Sequence, residues 1–367
     1  MVAGAVAVIE DKSQIAGIAL GGDRRRTARI LTGLLCLALL ATAFLSLSIG
    51  ATGFTPGAVW QSLIGLVDGG IASQRDVIIL DIRLPRTLLG MLVGAALAVS
   101  GVVLQGLFRN PLADPGLVGV SSGAGLAAVI IIIGIPIFLP GIAGLVGAYA
   151  LPLAAFVGAL ATTSLLYRIA TRAGRTSVAT MLLAGIALGA LAGALTGYLT
   201  FLSNDQQLRD LTFWTMGSLG GATMDKVITA APFIALALAT IPWLAERLDA
   251  LLLGEVEAGH LGVEVQTVKR VAIVMVALSV GASVAAAGPI GFIGIVVPHL
   301  LRIAMGPRHR ALMIASALLG AILLVAADMA ARTLVAPAEL PIGIVTALIG
   351  APFFLWLLLR RRSLLDI

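Results

Sequence analysis

The sequence predicts an all-α integral membrane protein with ten transmembrane helices, on three observations. Of 367 residues, 59% are apolar and 11% charged, with a mean hydropathy of +1.08. A soluble domain carries about 25% charged residues because its surface faces water; less than half of that implies a surface that faces lipid. The apolar residues gather into runs close to the ~20 residues that cross a bilayer. The basic residues fall unevenly on alternate connections between those runs.

Taken in order, the first span covers 30–50 and follows the basic run Arg24-Arg25-Arg26, its expected cytoplasmic flank. The first 29 residues lack the positive n-region and short apolar core of a signal peptide, so this helix is read as retained. Further spans are expected at 87–107, 117–134, 144–166, 178–201, 227–245, 271–288, 291–305, 311–334 and 341–359. The third and eighth are short and interrupted by glycine or proline. An even number puts both termini on one side. If that side is cytoplasmic, 18 of the 24 Lys and Arg lie there; the other six are Arg75, Arg83, Arg86, Arg209, Lys226 and Arg332. That bias is the positive-inside pattern, and it predicts cytoplasmic N- and C-termini. The expected organisation is an N-terminal extension, 1–29, one ten-helix domain, 30–360, and a short tail, 361–367.

Several functions are excluded or weakened. The pI near 10.2 does not mark a nucleic-acid binder, since the basic residues are scattered through short loops and form no patch. Cys36 is the only cysteine, so no intrachain disulfide forms. His260, His299 and His309 make no metal-ligand cluster with it, and no metal site is expected. No Gly-x-x-x-x-Gly-Lys-[Ser/Thr] occurs, so the chain binds no ATP through a P-loop. No nucleophile–base pair is present, and no catalytic residue is assigned.

Other features carry two readings each. Asp328 is the best intramembrane ionisable group, and Arg332 lies four residues on, on the same helical face. The two form a self-neutralising pair, or Asp328 couples an ion as in a secondary carrier. Gly185, Gly189, Gly193 and Gly197 draw a smooth stripe along the fifth span. Such a stripe serves close helix packing or forms the wall of a translocation path. Gly288-Pro289-Ile290-Gly291-Phe292-Ile293-Gly294 breaks the helix at membrane depth, which is tolerated only beneath protein or a water-filled cavity. His299, beside Pro298, reads as a structural histidine. Arg83 and Arg86 put two cations at the outer face, for docking an acidic partner or for interfacial anchoring. The inner segment 246–270, with Glu255, Glu257, His260, Glu264, Lys269 and Arg270 around its glycines, reads as short amphipathic helices that lie on the membrane or enter a partner's groove.

Several stretches together resemble the permease subunits of ATP-binding-cassette importers for vitamin B12, ferric siderophores and haem. They are Arg83-Leu84-Pro85-Arg86, the run Gln105 to Pro115, Gly119-Val120-Ser121-Ser122-Gly123-Ala124-Gly125, the run Gly288 to Arg302, and Glu339-Leu340-Pro341-Ile342-Gly343. The resemblance implies the type II importer architecture in the bacterial inner membrane. It implies a homodimer with two cytoplasmic ATPase subunits and a periplasmic binding protein as partners, and no nucleic acid. It further implies that Arg83, Arg86 and Arg332 dock the binding protein. Glu255, Glu257, His260, Leu261 and Gly262 would couple to the ATPase, and the glycine stripe would line the path. No cofactor is expected on this chain; ATP and magnesium belong to the partner ATPase. The outer segment Asn204 to Trp214 looks most like the haem branch, so haem is the expected substrate, with ferric siderophore and cobalamin as alternatives.

Overall fold

The computed structural model describes residues 2–50, 52–67, 73–143, 150–172 and 175–362. Among the described residues the regular structure is helical apart from one hairpin of two two-residue strands. Helix α1 (Val2–Ser48) is followed by a short α2 (Pro56–Val67) and a π-helical turn, Val77–Arg83, that runs into α3 (Leu84–Leu107). Then come α4 (Val120–Val129), α5 (Ala150–Ala170), the strands β1 (Thr171–Arg172) and β2 (Arg175–Thr176), α6 (Val178–Phe201) and α7 (Asp205–Thr215). The last part holds α8 (Met224–Ala239), α9 (Ile241–Leu251), α10 (Glu255–His260), α11 (Val265–Ala287), α12 (Ile293–Met305), α13 (His309–Ala331) and α14 (Ile342–Arg362).

Among the described residues, seven helices are long and apolar enough to cross a membrane, or eight if α8 and α9 cross as one span bent by 46°. Pro242, second in α9, makes the bend, because its ring removes an N–H and clashes with the preceding turn. α12 and the apolar part of α14, Ile342–Trp356, are shorter. The expected ten spans are thus seven or eight full-length helices, with two short ones at the eighth and tenth expected runs. Two helices were not expected as such. These are α2 and α7, the latter opened by a capping box in which Asn204 and Gln207 satisfy each other's backbone N–H groups.

α3 is the central post. From Val93 to Leu107 every side chain is buried, as expected of a helix that is apolar all round. Its neighbours approach to backbone contact. A Cβ on Gly94 would strike the Gly320 carbonyl, and one on Gly320 the Gly94 carbonyl, so α3 and α13 cross there. Gly123 and Gly158 make the same reciprocal crossing between α4 and α5. Small residues at crossings let helices gain van der Waals contact where lipid supplies no hydrophobic drive. The buried polar groups of α3 are matched: the Ser100 and Ser279 hydroxyls lie 2.9 Å apart. The Gln105 amide donates to the Gly294 carbonyl at 3.1 Å and accepts from Arg302 at 2.8 Å.

α11 runs the depth of the body, 23 residues long or ~34 Å at 1.5 Å per residue. At its Ala287 end three connections are sewn together. Ser218 donates to Ala287 (2.8 Å), and Ile342 and Gly343 donate to Gly217 and Met216 (both 3.1 Å). Gly288 makes this possible at φ +72°, where a Cβ would also meet the Trp214 carbonyl at 2.6 Å. The expected helix break lies here. Pro289, Ile290 and Gly291 border a cavity of about 240 Å³ that also takes in Asp114 and Ser121, so the freed backbone adjoins space large enough for water.

Candidate functional sites at the two ends of the body

At the Ala287 end lie three buried arginines, two of which converge on the last turn of α1. Arg83, which closes the π-turn, is buried. Its Nη1 donates to the carbonyls of Leu47 (2.7 Å) and Ser48 (3.0 Å), and its Nη2 to the carbonyl and hydroxyl of Thr52. Its guanidinium lies over the Phe54 ring, 4.8 Å from the centroid. Arg332, just past α13, donates to the carbonyl (2.8 Å) and hydroxyl (2.7 Å) of Ser46. The final carbonyls of a helix lack internal partners and carry the negative end of its dipole. The two guanidinium groups therefore cap α1.

Arg86 reaches the other way. Its Nε donates to both oxygens of Asp328, at 2.9 and 3.0 Å, and its Nη1 to both oxygens of Glu339 at 2.9 Å. Arg332 Nε stands 3.6 Å from Asp328 and finds no hydrogen-bond acceptor. The expected Asp328–Arg332 pair is present, but Arg86 is the closer partner. Of this group only Glu339 is open, with 46% of its side chain exposed against 3% for Asp328. None of Arg83, Arg86 and Arg332 stands free in water: the structure turns inward the cations that the sequence suggests for the surface.

The opposite end carries α10. Glu255, Val256, Glu257 and His260 are exposed, as are Leu252, Leu253 and Leu261, while Ala258 is buried against the body. Gly254 and Gly262 take φ of +141° and +82°, so glycine turns bracket the short helix. Within the expected segment 246–270, α10 is thus one short exposed helix between the end of α9 and the start of α11, with apolar side chains at its rim. One of its acids faces inward: Glu255 accepts from the buried Lys269 at 2.8 and 2.9 Å. Nearby, Asp249 accepts from the backbone N–H of His309 at 3.0 Å and lies 2.7 Å from its Nδ1, which ties α9 to the start of α13.

The glycine stripe of α6 divides. Gly185 is buried and Gly189 half-buried, its would-be Cβ 3.5 Å from the Ser122 hydroxyl. A Cβ placed on Gly193 or Gly197 would meet nothing within 4 Å among the described residues beyond its own helix, so close packing inside the subunit does not account for them. Among the described residues, no group of three or more His, Cys, Asp or Glu is placed to hold a metal. Sequence reasoning assigned no role to Glu339 and Lys269. Their signals were a carboxylate just ahead of the last span and one of only three lysines.

Comparison with known proteins follows the same outline. The FecCD transport family matches residues 38–360. The chain is 45% identical over 338 residues to the hemin transport system permease protein HmuU of Yersinia pestis, covering 91% of this chain and 97% of that one. It is 44% identical to the vitamin B12 import system permease protein BtuC of Klebsiella pneumoniae, covering 93% and 96%. It is 45% identical to the cobalamin import system permease protein BtuC of Halobacterium salinarum, covering 80% and 76%. A solved inward-facing conformation of a metal-chelate type ABC transporter superposes with a TM-score of 0.78 at 33% identity, covering 90% of this chain and 99% of that one.

Proposed function

The chain belongs to the FecCD transport family, and from that premise we propose that it is the haem-carrying permease subunit of a binding-protein-dependent ABC importer in the bacterial inner membrane. It is a transport subunit, and hydrolysis belongs to a separate ATPase. The observation that carries the haem assignment is similarity to a hemin permease over 97% of that protein's length. Cobalamin is the second reading, because the vitamin B12 permeases stand at nearly the same identity. An ion-driven carrier is disfavoured, since Asp328, its candidate carboxylate, is occupied by Arg86 and neighboured by Arg332.

In this reading the two short helices complete ten spans, and the basic residues put both termini in the cytoplasm. Two copies assemble about a two-fold axis, with α6 of each along the path, where Gly193 and Gly197 present bare backbone. The binding protein docks at the Arg83, Arg86 and Arg332 end. Docking through Arg86 exchanges Glu339 for an acid of the partner, while Arg83 and Arg332 keep α1 anchored. The ATPase grips α10, where Glu257, His260, Leu261 and Gly262 stand exposed, with Val256 and Leu253 as apolar contacts. The chain then supplies different contacts in two states, which is all that a transport cycle driven from outside requires.

The test is haem uptake into proteoliposomes that hold the permease with its ATPase, binding protein outside and ATP inside. ATP-dependent uptake that cobalamin does not compete away supports both parts. Cobalamin uptake in its place keeps the importer and replaces the substrate.

A further inference from the structure

We propose that Lys269 is a transmission pin that carries motor-driven movement of α10 to the foot of α6. The inference rests on the coupling and pathway assignments above and adds a positioning residue to them. Lys269 is 2% exposed although it lies near the end of α11, where a lysine stem normally extends its ammonium to water. Burying an ammonium is costly unless its donors are matched. Here they are matched by two separate elements. Glu255, the first residue of α10, accepts at 2.8 and 2.9 Å, and the Thr176 carbonyl accepts at 3.0 Å. Thr176 ends β2 and immediately precedes Ser177, whose side chain caps α6.

The clip is reinforced around it. Gln266, one turn before Lys269, accepts from the Thr176 hydroxyl at 3.3 Å, and the Thr171 and Thr176 hydroxyls lie 2.9 Å apart across the hairpin. Arg270 donates to the Tyr167 hydroxyl at 3.0 Å, which fastens the α5 arm of the hairpin to the same stretch of α11. α10 itself touches the body mainly through Ala258 and the Glu255–Lys269 pair, its remaining side chains being exposed. Force applied to α10 thus has a direct side-chain route to the foot of α6 through one ammonium, beside the chain connection through α11 and its Gln266–Thr176 contact.

The experiment compares haem uptake per ATP hydrolysed, with binding protein present, in proteoliposomes holding the whole complex. Lys269→Met keeps the stem and removes the charge. Uptake per ATP is expected to fall about tenfold while the ATPase subunits stay bound and hydrolyse ATP. Lys269→Arg, which retains charge and donors, is expected to stay within twofold of wild type. A merely structural lysine lowers assembly and uptake together and leaves their ratio unchanged, so an unchanged ratio overturns the proposal. Should Lys269→Met fail to accumulate, Glu255→Gln takes its place with the same criterion. If the wild-type complex takes up no haem but its ATPase is stimulated by binding protein, the substrate is wrong, and loss of that stimulation in Lys269→Met becomes the readout. If wild type shows neither, the importer reading fails and this proposal falls with it.

Discussion

Arg86 holds two carboxylates of unequal exposure, and the inequality decides what each substitution does. Asp328 is buried, so Arg86→Ala leaves it with Arg332 alone at 3.6 Å. Removing one partner of a buried pair costs about 3–5 kcal/mol. The variant is therefore expected to melt well below wild type in detergent, as followed by circular dichroism; an unchanged melting curve would show that Asp328 needs no such partner. Glu339 is half in solvent, and an exposed pair is worth up to ~1 kcal/mol. Glu339→Gln is expected to leave the fold intact and free one edge of the guanidinium. Its binding protein is then expected to dock about fivefold more tightly in a surface-resonance assay; weaker docking means that the partner does not compete for Arg86. The four charges Arg83, Arg86, Asp328 and Arg332 are conspicuous in the sequence because charge is rare among apolar residues. Their pairing is not. Spacing of four favours Asp328–Arg332, whereas the tighter bond joins positions 242 apart, a consequence of packing that a one-dimensional pattern does not carry.

At the scale of elements, lipid makes the spans legible. A segment that crosses hydrocarbon must be apolar over its whole length, so nearly every expected run overlaps an observed helix. α2 and α7 lie between spans, are free of that constraint, and follow local rules instead. The Asn204–Gln207 capping box is such a rule, visible in the letters once a helix is sought there. The hairpin of Thr171 and Thr176 is too short to give a strand pattern, and its role appears only when Lys269 is seen to hold it. α10 yields a sharper expectation. Leu261, just past α10, is exposed, so Leu261→Asp is expected to leave the permease folded and to reduce co-purification of the ATPase by tenfold or more. Undiminished co-purification would remove α10 from the coupling surface. Gly94 predicts the opposite class of defect. Gly94→Val drives a side chain into the Gly320 backbone, and the protein is expected not to accumulate in the membrane, as blotting of membrane fractions would reveal.

For the whole molecule, the contrast between two helices is the informative quantity. The most apolar window of α3 is 83% buried within the chain and that of α6 only 17%, although both are nearly uniformly apolar. Composition cannot distinguish them, because lipid, a second copy and a core all accept an apolar surface; this is why the apolar spans are legible and the assembly is not. What separates these environments along α6 is shape. Large side chains such as Leu191 and Leu195 suit lipid, while Gly193 and Gly197 leave a bare groove that lipid has no need of. Residues two apart on a helix point in nearly opposite directions, so 193 and 195 report on opposite sides. With Cys36 replaced by serine, Gly193→Cys or Gly197→Cys is expected to join two copies through a short bis-maleimide in native membranes. Leu195→Cys, on the far side, is expected to remain monomeric on a denaturing gel. Equal cross-linking at 193 and 195 would mean random encounters. Joining through Leu195 alone would turn the helix around and put the glycine groove against lipid, and the path would then have to be sought on another helix.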